Sequence, residues 1–139
     1  QLISRRLPNV YNSSGRDIEE LQKGKTWNPA FLHPDDLAML GLADGDLVEI
    51  ASDHDAILGV VESAPELRRG IVSMAHCYGE GPDDGGGQDE RDEQDERVRE
   101  LGSSTGRLVD NLRDFDPHTG IPRMSAIDVS LRRHEPRPR

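Results

Sequence analysis

Short apolar runs separated by turn-forming residues recur along this chain and predict strands with little helix between them. The predicted strands are Leu2–Leu7, Asp46–Ser52, Ala56–Ser63, Ile71–His76 and Met124–Leu131. In the last run Ile127, Val129 and Leu131 alternate with small or polar residues, as in a strand with one buried face. Gly59 interrupts the third run, which indicates a bulge or a close approach of another backbone. This spacing is typical of a small β-barrel.

The stretch from residue 28 to residue 52, NPAFLHPDDLAMLGLADGDLVEIAS, has the clearest local pattern. An apolar run at Ala30–Leu32 leads to a short helix that is predicted to begin at Pro34, where a missing N–H has no partner to lose. Gly41 is placed to end this helix in a left-handed conformation. Asp44-Gly45 is a turn signal ahead of the next strand. The pattern predicts a compact unit of strand, helix, turn and strand.

Asp17–Lys23 predicts a short helix, and Trp27 is expected to be a core residue.

One segment, Gly79–Glu100, breaks the pattern of strands and turns. It is Gly-rich and acidic, with almost no apolar residue before Val98. Because such a segment cannot bury enough surface to order itself, we expect a solvated surface insertion with a short helix at Gln94–Leu101 near its end.

The net charge of −10 belongs mostly to this insertion, since residues 80–100 hold ten acids and three arginines and leave only −3 for the rest. The near-neutral remainder can carry a local basic site. We do not expect nucleic-acid binding, because the sequence has no large basic patch with interleaved aromatics. No apolar run reaches membrane-spanning length. The absence of an initial Met suggests a fragment of a longer chain.

The chemistry-bearing residues do not form a catalytic or metal-binding motif. Cys77 is the single cysteine, which excludes an internal disulfide or a cysteine-ligated cluster and fits a reducing, cytoplasmic compartment. We expect it to be a small buried hydrophobe. The five histidines show no metal-ligand spacing, and no phosphate-loop or nucleophile-elbow motif is present. We therefore expect no catalytic residue and no metal ligand in this chain.

Arg5 and Arg6 are predicted to lie where the first strand meets a loop rich in hydroxyl and amide groups. Guanidinium groups bind phosphate in a bidentate manner, so a pyrophosphate is the natural anion to propose. Strand alternation lets one of the two face a site, and we favour Arg6. The alternative is a solvated pair of arginines beside an ordinary loop.

Two polar residues of the central stretch have competing interpretations. Asn28 precedes Pro29, where it can cap or turn the chain or contact a ligand. His33 precedes the predicted helix, where a capping role is favoured over metal ligation. Its alternative role is a neutral hydrogen-bond partner for a cofactor.

Asp110 and Asn111 form a polar pair that suits a guanine edge. A carboxylate can accept from the two adjacent donors of guanine, N1–H and N2–H, and an amide can serve its O6 acceptor. The alternative is an exposed Asp beside a capping Asn. The sequence leaves both readings open.

The stretch NPAFLHPDDLAMLGLADGDLVEIAS resembles the segment that marks molybdopterin-dinucleotide-binding domains, the C-terminal domains of the dimethyl sulfoxide reductase and formate dehydrogenase superfamily. That pattern reads Asn-x-x-x-(apolar)-(His or Asn)-Pro-x-Asp-Ala, followed by Leu-Gly-(apolar)-x-Asp-Gly-Asp-x-Val. Leu37 stands where the pattern often has Ala. The similarity spans residues 1–132, interrupted by the acidic insertion at 80–101, and leaves 133–139 as a disordered C-terminal tail.

The resemblance implies a mainly β fold, a closed six-stranded double-psi β-barrel with short helices. It implies binding of the dinucleotide ends of two molybdopterin guanine dinucleotides that carry molybdenum or tungsten. The remaining domains of the parent oxidoreductase would supply the metal ligand, an iron–sulfur cluster and the small-molecule substrate site for formate-dehydrogenase-like two-electron chemistry. The isolated domain is expected to bind cofactor weakly or not at all.

In the family, the arginine after the first strand and the polar loop that follows lie against the dinucleotide. A similar Asn follows the mid-domain loop, which favours Asn111. The expected cofactor-binding residues are Arg5, Arg6, Asn12, Ser13, Ser14, Asn28, His33, Asp110 and Asn111. The family's metal-ligating residue lies in another domain, so Cys77 has no such role. A stand-alone nucleotide-binding barrel and a protein-binding adaptor remain alternatives, because one fold serves several functions.

Overall fold

The computed structural model describes residues 1–16, 18–22, 24–79 and 91–135. Six strands and three α-helices make up its regular structure, together with one 3₁₀ helix at Thr105–Leu108. In chain order the elements are β1 (Leu2–Arg5), α1 (Glu19–Gln22), β2 (Ala30–Leu32), α2 (Pro34–Leu40), β3 (Leu47–Ala51), β4 (Ala56–Ser63), β5 (Val72–Ala75), α3 (Arg91–Leu101) and β6 (Ser130–Arg133).

The six strands form one curled sheet in the order β1-β5-β2-β4-β3-β6. β1 runs parallel to β5 and β2 runs parallel to β4, whereas the other neighbours are antiparallel. Near the two edges, Leu2 and Ile127 exchange backbone hydrogen bonds of 2.8 and 3.1 Å. The mainly β class is confirmed. Closure into a double-psi barrel is not, because within the described residues this isolated pair, not a ladder, joins β1 to the segment before β6.

The core lies on the inner face of the sheet, where Val48 and Ile50 are fully buried on one face of β3, as their alternation predicts. Val48 pairs with Gly59 of β4. A Cβ at Gly59 would lie 2.9 Å from the Cβ of Ala30, so the glycine permits β2 and β4 to approach closely. The predicted close approach is confirmed.

Helix α2 has the predicted ends. His33 Nδ1 accepts a hydrogen bond of 3.1 Å from the backbone N–H of Asp35, so His33 is the N-cap. Gly41 ends the helix with φ of +66°. The sequence did not reveal the role of Asp36, which is buried and accepts from the backbone N–H of Gly70 at 2.6 Å. This bond fixes α2 against the turn between β4 and β5.

Some predicted strand ends are wrong. β1 ends at Arg5, since Pro8 soon follows and has no N–H for a ladder. β6 begins at Ser130, not Met124. It also extends into the predicted tail, because Arg133 belongs to the strand and the backbone N–H of His134 donates to Leu47 at 3.0 Å. Residues 136–139 lie outside the described residues.

The acidic segment is not wholly a solvated insertion. Its last part is helix α3, longer than predicted, and Val98 is 6% exposed. Val98 packs against Leu47, Leu58 and Val60, with Trp27 beside them. The prediction overlooked that one buried valine can dock a helix onto a sheet that already exposes an apolar patch. Residues 80–90 lie outside the described residues.

No helix within the described residues is long and apolar enough to span a membrane.

Candidate functional site

Four polar side chains converge where β1 and β5 end. Because these strands are parallel and Arg5 is in register with Ala75, the next residues, Arg6 and His76, follow at the same edge. Arg6 Nη1 donates to Asn12 Oδ1 at 2.8 Å, and His76 Nε2 is 3.0 Å from the same oxygen. Arg5, Arg6, Asn12 and His76 line one small cavity. We call these four residues the cationic cradle.

The hydrogen bonds fix the polarity of the cradle. A guanidinium can only donate, so the amide atom of Asn12 that faces Arg6 must be its oxygen. His76 Nε2 must then carry a proton and donate to that oxygen as well. The cradle thus offers N–H donors and positive charge, which suit an anion.

Arg5 carries an unsatisfied buried group. Its guanidinium carbon lies 4.0 Å from the centroid of the Phe31 ring, and its Nη1 is buried without a hydrogen-bond partner among the described residues. A buried donor left unpaired costs about 1–3 kcal/mol. A ligand oxygen would remove that cost, so Arg5 is also oriented for binding. The sequence had predicted that only one of the two arginines, preferably Arg6, would face the site. Both arginines line the cavity because the strand ends at Arg5 and alternation does not extend to Arg6.

A tight turn presents Asn12 to the cradle. The backbones of Tyr11 and Ser14 exchange hydrogen bonds of 3.0 and 2.9 Å. Asn12, at the turn, has φ of +54°, a left-handed conformation that asparagine tolerates better than most residues. Ser13 and Ser14 are exposed on the same turn. Their hydroxyl groups are therefore accessible next to the cradle.

A third arginine contacts the segment that follows His76. Arg16 lies over the ring of Tyr78, 5.2 Å from its centroid, and donates to the carbonyl of Cys77. Burial raises the pKa of Tyr78, against the opposing field of Arg16, so its phenol is neutral. Cys77 is exposed and has φ of +66°, so its prediction as a buried hydrophobe is wrong.

A larger cavity of about 250 Å³ adjoins the cradle. Its aromatic walls are Trp27, Phe31 and Tyr78. Leu7, Val10 and Tyr78 line both this cavity and the small cavity of the cradle. We call the larger space the aromatic cavity.

Asn28 lies behind the cradle. It is 1% exposed, and its Nδ2 donates to the carbonyls of Ala75 at 2.6 Å and Ser103 at 3.0 Å. Its Oδ1 accepts from the Ser103 N–H at 2.9 Å. Because Ala75 directly precedes His76, Asn28 fixes the backbone that carries a cradle residue. Its amide groups bond to Ala75 and Ser103, which are distant in sequence, and not to the neighbouring backbone as the predicted cap or turn would require.

Asp110 and Asn111 lie near the turn between β3 and β4. Asp110 Oδ1 accepts from the backbone N–H of Leu112 at 2.9 Å and of Arg113 at 3.1 Å. The N–H of Leu112 is the main cause that lowers the pKa of Asp110. Desolvation opposes it, and the N–H and charge of Arg113 and the charge of His54 keep the net shift downward. Asn111 is exposed. The other oxygen of Asp110, Oδ2, pairs with the exposed Arg113 at 3.6 Å. Both Asp110 oxygens thus have local partners, and Asn111 is accessible to a ligand.

Residues 1–127 match the model of the family described as Molydopterin (molybdopterin) dinucleotide binding domain. The chain belongs to this family.

Two individual proteins also resemble this molybdopterin dinucleotide-binding domain. It is 37% identical over 46 residues to the dimethyl sulfoxide/trimethylamine N-oxide reductase of Rhodobacter capsulatus, a match that covers 33% of this chain and 6% of that protein. Its fold is similar to that of acetylene hydratase from Pelobacter acetylenicus, with a TM-score of 0.71 at 17% identity over 96% of this chain and 18% of the hydratase. The domain therefore spans less than a fifth of either protein.

The residues of the domain fit the group that the family name implies. A dinucleotide carries a pyrophosphate, and the cradle offers N–H donors from Arg5, Arg6 and His76. One of these donors, Nη1 of Arg5, is buried and has no partner among the described residues. No group of three or more His, Cys, Asp or Glu residues that could hold a metal ion occurs in the described ranges.

Sequence reasoning missed three contributors to this site: His76, Arg16 and Tyr78. Their roles depend on the parallel pairing of β1 with β5, which joins segments about 70 residues apart. The sequence did show that His76 is a polar residue at the end of a buried strand. It did not show that this strand pairs with β1, which places His76 beside Arg6.

Proposed function

We propose that this domain is the C-terminal cofactor-binding domain of a molybdenum or tungsten oxidoreductase. In this proposal it holds the dinucleotide ends of bis-molybdopterin guanine dinucleotide, and the cationic cradle grips a pyrophosphate. The observation that carries the proposal is the convergence of Arg5, Arg6 and His76, with the buried Nη1 of Arg5 unpartnered. Membership of the dinucleotide-binding family supports it.

Each cradle residue has a distinct task. Arg6 supplies charge and directed donors, and Asn12 holds both Arg6 and His76 in place through one oxygen. Arg5 supplies a buried donor that a phosphate oxygen would satisfy. The Ser13 and Ser14 hydroxyls add donors from the exposed turn. Arg5 lies against the Phe31 ring beside the buried Tyr78, and charges attract more strongly in such a medium of low polarity.

Further residues act at other points of the ligand. Asp110 and Asn111 offer acceptor and amide groups to a guanine edge, and His33 keeps Nε2 available while Nδ1 caps α2. Asn28 acts through Ala75, as a positioning residue. In the complete protein, the six strands and the segment around Ile127, which pairs with Leu2, would close as a double-psi barrel.

When bound, the cofactor supplies two-electron redox chemistry at its metal, and this chain supplies binding and orientation. The remaining domains would provide the metal ligand, an iron–sulfur cluster and a pocket for a small substrate. Formate-dehydrogenase-like chemistry in the cytoplasm is the proposed setting.

Cofactor retention by the complete protein tests this function. Arg6→Ala should lower the molybdenum or tungsten and the releasable guanine nucleotide per polypeptide, because a charge-assisted hydrogen bond contributes about 1.5–3 kcal/mol, or about 10- to 100-fold in affinity. Arg132→Ala is the matched control, since Arg132 is exposed and pairs with Glu49 on the far strands β6 and β3. Equal metal and nucleotide contents in the two variants would contradict the proposal.

Asp110→Ala and Asn111→Ala test the guanine contact separately. Both should reduce the retained guanine nucleotide and metal while leaving the fold intact, because both residues are outside the core. Unchanged contents would remove these two residues from the site and leave the cradle unaffected.

A further inference from the structure

Residues 111–126 form a segment that is almost wholly exposed. Every residue in it is exposed except Pro122, which is half-buried. Among the described residues nine large apolar side chains are exposed, and four of them belong to this segment: Leu112, Phe115, Ile121 and Met124. We call residues 111–126 the exposed arm. Such a concentration of exposed apolar side chains marks a surface that another protein surface covers.

The exposed arm has a defined backbone in spite of this exposure. Phe115 and Pro122 form an antiparallel bridge, and the N–H of Asp116 donates to the carbonyl of Ile121 at 2.8 Å. The arm is therefore a small hairpin. Because an isolated hairpin is at best marginally stable in water, it needs packing that its own two strands do not supply.

The charged groups of the exposed arm are used locally. It carries two arginines and two aspartates, so its formal charges balance. Arg123 pairs with Asp114 at 3.0 Å, and Arg113 lies 3.6 Å from Asp110 at the start of the arm. Asp116 accepts from two backbone N–H groups and one hydroxyl of its own turn. A partner is therefore recognised through the apolar side chains and not through charge.

The apolar side chains project from both faces of this hairpin. Phe115 and Pro122 are paired and share one face. The next pair, Asp116 and Ile121, lies on the opposite face because side chains alternate along a strand. A hairpin with apolar groups on both faces cannot cover them by lying flat on a surface. It buries both faces only when it inserts into a groove.

The exposed arm is attached beside the cationic cradle. Ser4 Oγ donates to the carbonyl of Met124 at 2.6 Å, and the N–H of Ser4 donates to Ser125 Oγ at 3.1 Å. Ser4 is two residues before Arg6 of the cradle. A domain that contacts the far end of a ligand held in the cradle therefore lies next to the arm.

We propose that the exposed arm inserts into an apolar groove on another domain of the same polypeptide. The inference rests on the proposed function, which places the remaining domains around the cofactor. The size of the similar proteins supports it, because this domain spans only 18% of acetylene hydratase and most of such a chain is available as the partner. The arm thereby fixes the domain against its neighbour, a task separate from ligand binding in the cradle.

Two methionines allow a test on the unaltered complete protein. Met124, on the arm, is 45% exposed in this domain, whereas Met74 is fully buried in the core. Hydrogen peroxide converts accessible methionine to the sulfoxide, and mass spectrometry measures the rate at each residue. Met124 should react about tenfold or more slowly in the folded complete protein than in urea, as Met74 does, because a covered side chain reacts only when its contact opens. Smaller protection is that of a half-exposed side chain and would overturn the proposal.

Photochemical cross-linking identifies the partner. With p-benzoylphenylalanine in place of Phe115, irradiation should join the arm to a peptide outside these 139 residues without raising the mass of the polypeptide on a denaturing gel. A cross-link that raises the mass identifies a second chain, and a cross-link confined to the 139 residues identifies packing within the domain. Either result would overturn the proposal. The wild-type oxidation rates decide the question if this variant does not fold or does not react.

Ile121→Glu places a charge in the proposed contact and should bring the oxidation rate of Met124 towards its rate in urea. Met39→Glu is the matched control, because Met39 is an exposed apolar residue on helix α2, outside the arm. It should leave the oxidation rate of Met124 unchanged. Equal rates in the two variants would contradict an apolar contact through Ile121.

The failure of this inference is distinguishable from the failure of the proposed function. If Met124 is unprotected while Arg6→Ala still loses metal and nucleotide, the docking of the arm is overturned and the cradle stands. If Met124 is protected while Arg6→Ala retains as much metal and nucleotide as Arg132→Ala, the proposed function fails and the contact between domains stands.

Discussion

Asn28 and Ser103 exchange two hydrogen bonds across 75 residues of sequence, with Ser103 N–H donating at 2.9 Å and Asn28 Nδ2 donating at 3.0 Å. The same nitrogen donates to the carbonyl of Ala75 at 2.6 Å. Ala75 precedes the cradle residue His76, and Ser103 follows helix α3. Asn28 therefore joins the candidate site to the end of the acidic segment.

Asn28→Ala should lower the free energy of unfolding by about 3 kcal/mol or more. It leaves the Ser103 N–H and two carbonyls buried without partners, and each such group costs about 1–3 kcal/mol. Urea unfolding followed by circular dichroism measures the change. Asn111→Ala, at an exposed position, should stay within about 0.5 kcal/mol of wild type. Similar losses in both variants would show that the Asn28 bonds do not stabilise the fold.

Gly102→Ala and Gly120→Ala form a matched pair, because the two glycines have φ of +73° and +70°. Both variants carry the left-handed strain of about 1–2 kcal/mol. A Cβ at Gly102 would also lie 2.2 Å from Asn28 Oδ1, whereas nothing lies within 4 Å at Gly120. We expect thermal unfolding to show a clearly larger loss of stability for Gly102→Ala. Equal losses of stability in the two variants would mean that the backbone at residue 102 moves away from Asn28 at no cost.

Val98→Asp should undock helix α3 from the sheet. The carboxylate would replace a side chain that is packed against Leu47, Leu58 and Val60, and burying an unpaired charge is strongly unfavourable. Hydrogen exchange should show faster exchange of α3 amides with little change in β1 and β5. Glu96→Ala, an exposed change on the same helix, is the control. Retained α3 protection in Val98→Asp would refute the docking.

Stability should fall in acid below about pH 4. The N–H groups of Thr119 and His118 and the hydroxyl of Thr119 lower the pKa of Asp116 against a small opposing desolvation. For Asp55, desolvation raises the pKa, but the Ala56 N–H and Arg107 outweigh it and the net shift is downward. A carboxylate with a lowered folded-state pKa stabilises the fold above its unfolded pKa, and this contribution is lost as pH falls through the folded value.

Asp116→Asn isolates one part of this dependence. Because the amide does not titrate, the urea midpoint of this variant should decline less between about pH 4 and pH 2 than that of wild type. Asp53→Asn changes an exposed carboxylate in the β3–β4 turn and serves as the control. Parallel curves for wild type and Asp116→Asn would exclude a contribution from Asp116.

The local elements could be predicted from the sequence because their causes lie within a few residues. Pro34 and Gly41 mark the ends of α2, and Gly59 marks a close approach of strands. Alternation also placed Ile127 and Leu131 on the half-buried face near the C-terminus. The arginine pair and its polar loop were predicted as a candidate phosphate site in the same way, from their residue types.

The composition of the site depended on pairings that no local pattern encodes. His76 joins Arg6 and Asn12 because β1 and β5 are parallel and in register, and α3 is ordered because Val98 meets an apolar patch made by β3 and β4. Periodicity determines which face of a segment is apolar, but it does not determine which distant segment covers that face. The sequence by itself determined most of the elements and indicated one loop as a candidate anion site. The tertiary structure decided which side chains converge at that candidate site, since only packing brings residues about 70 positions apart into contact.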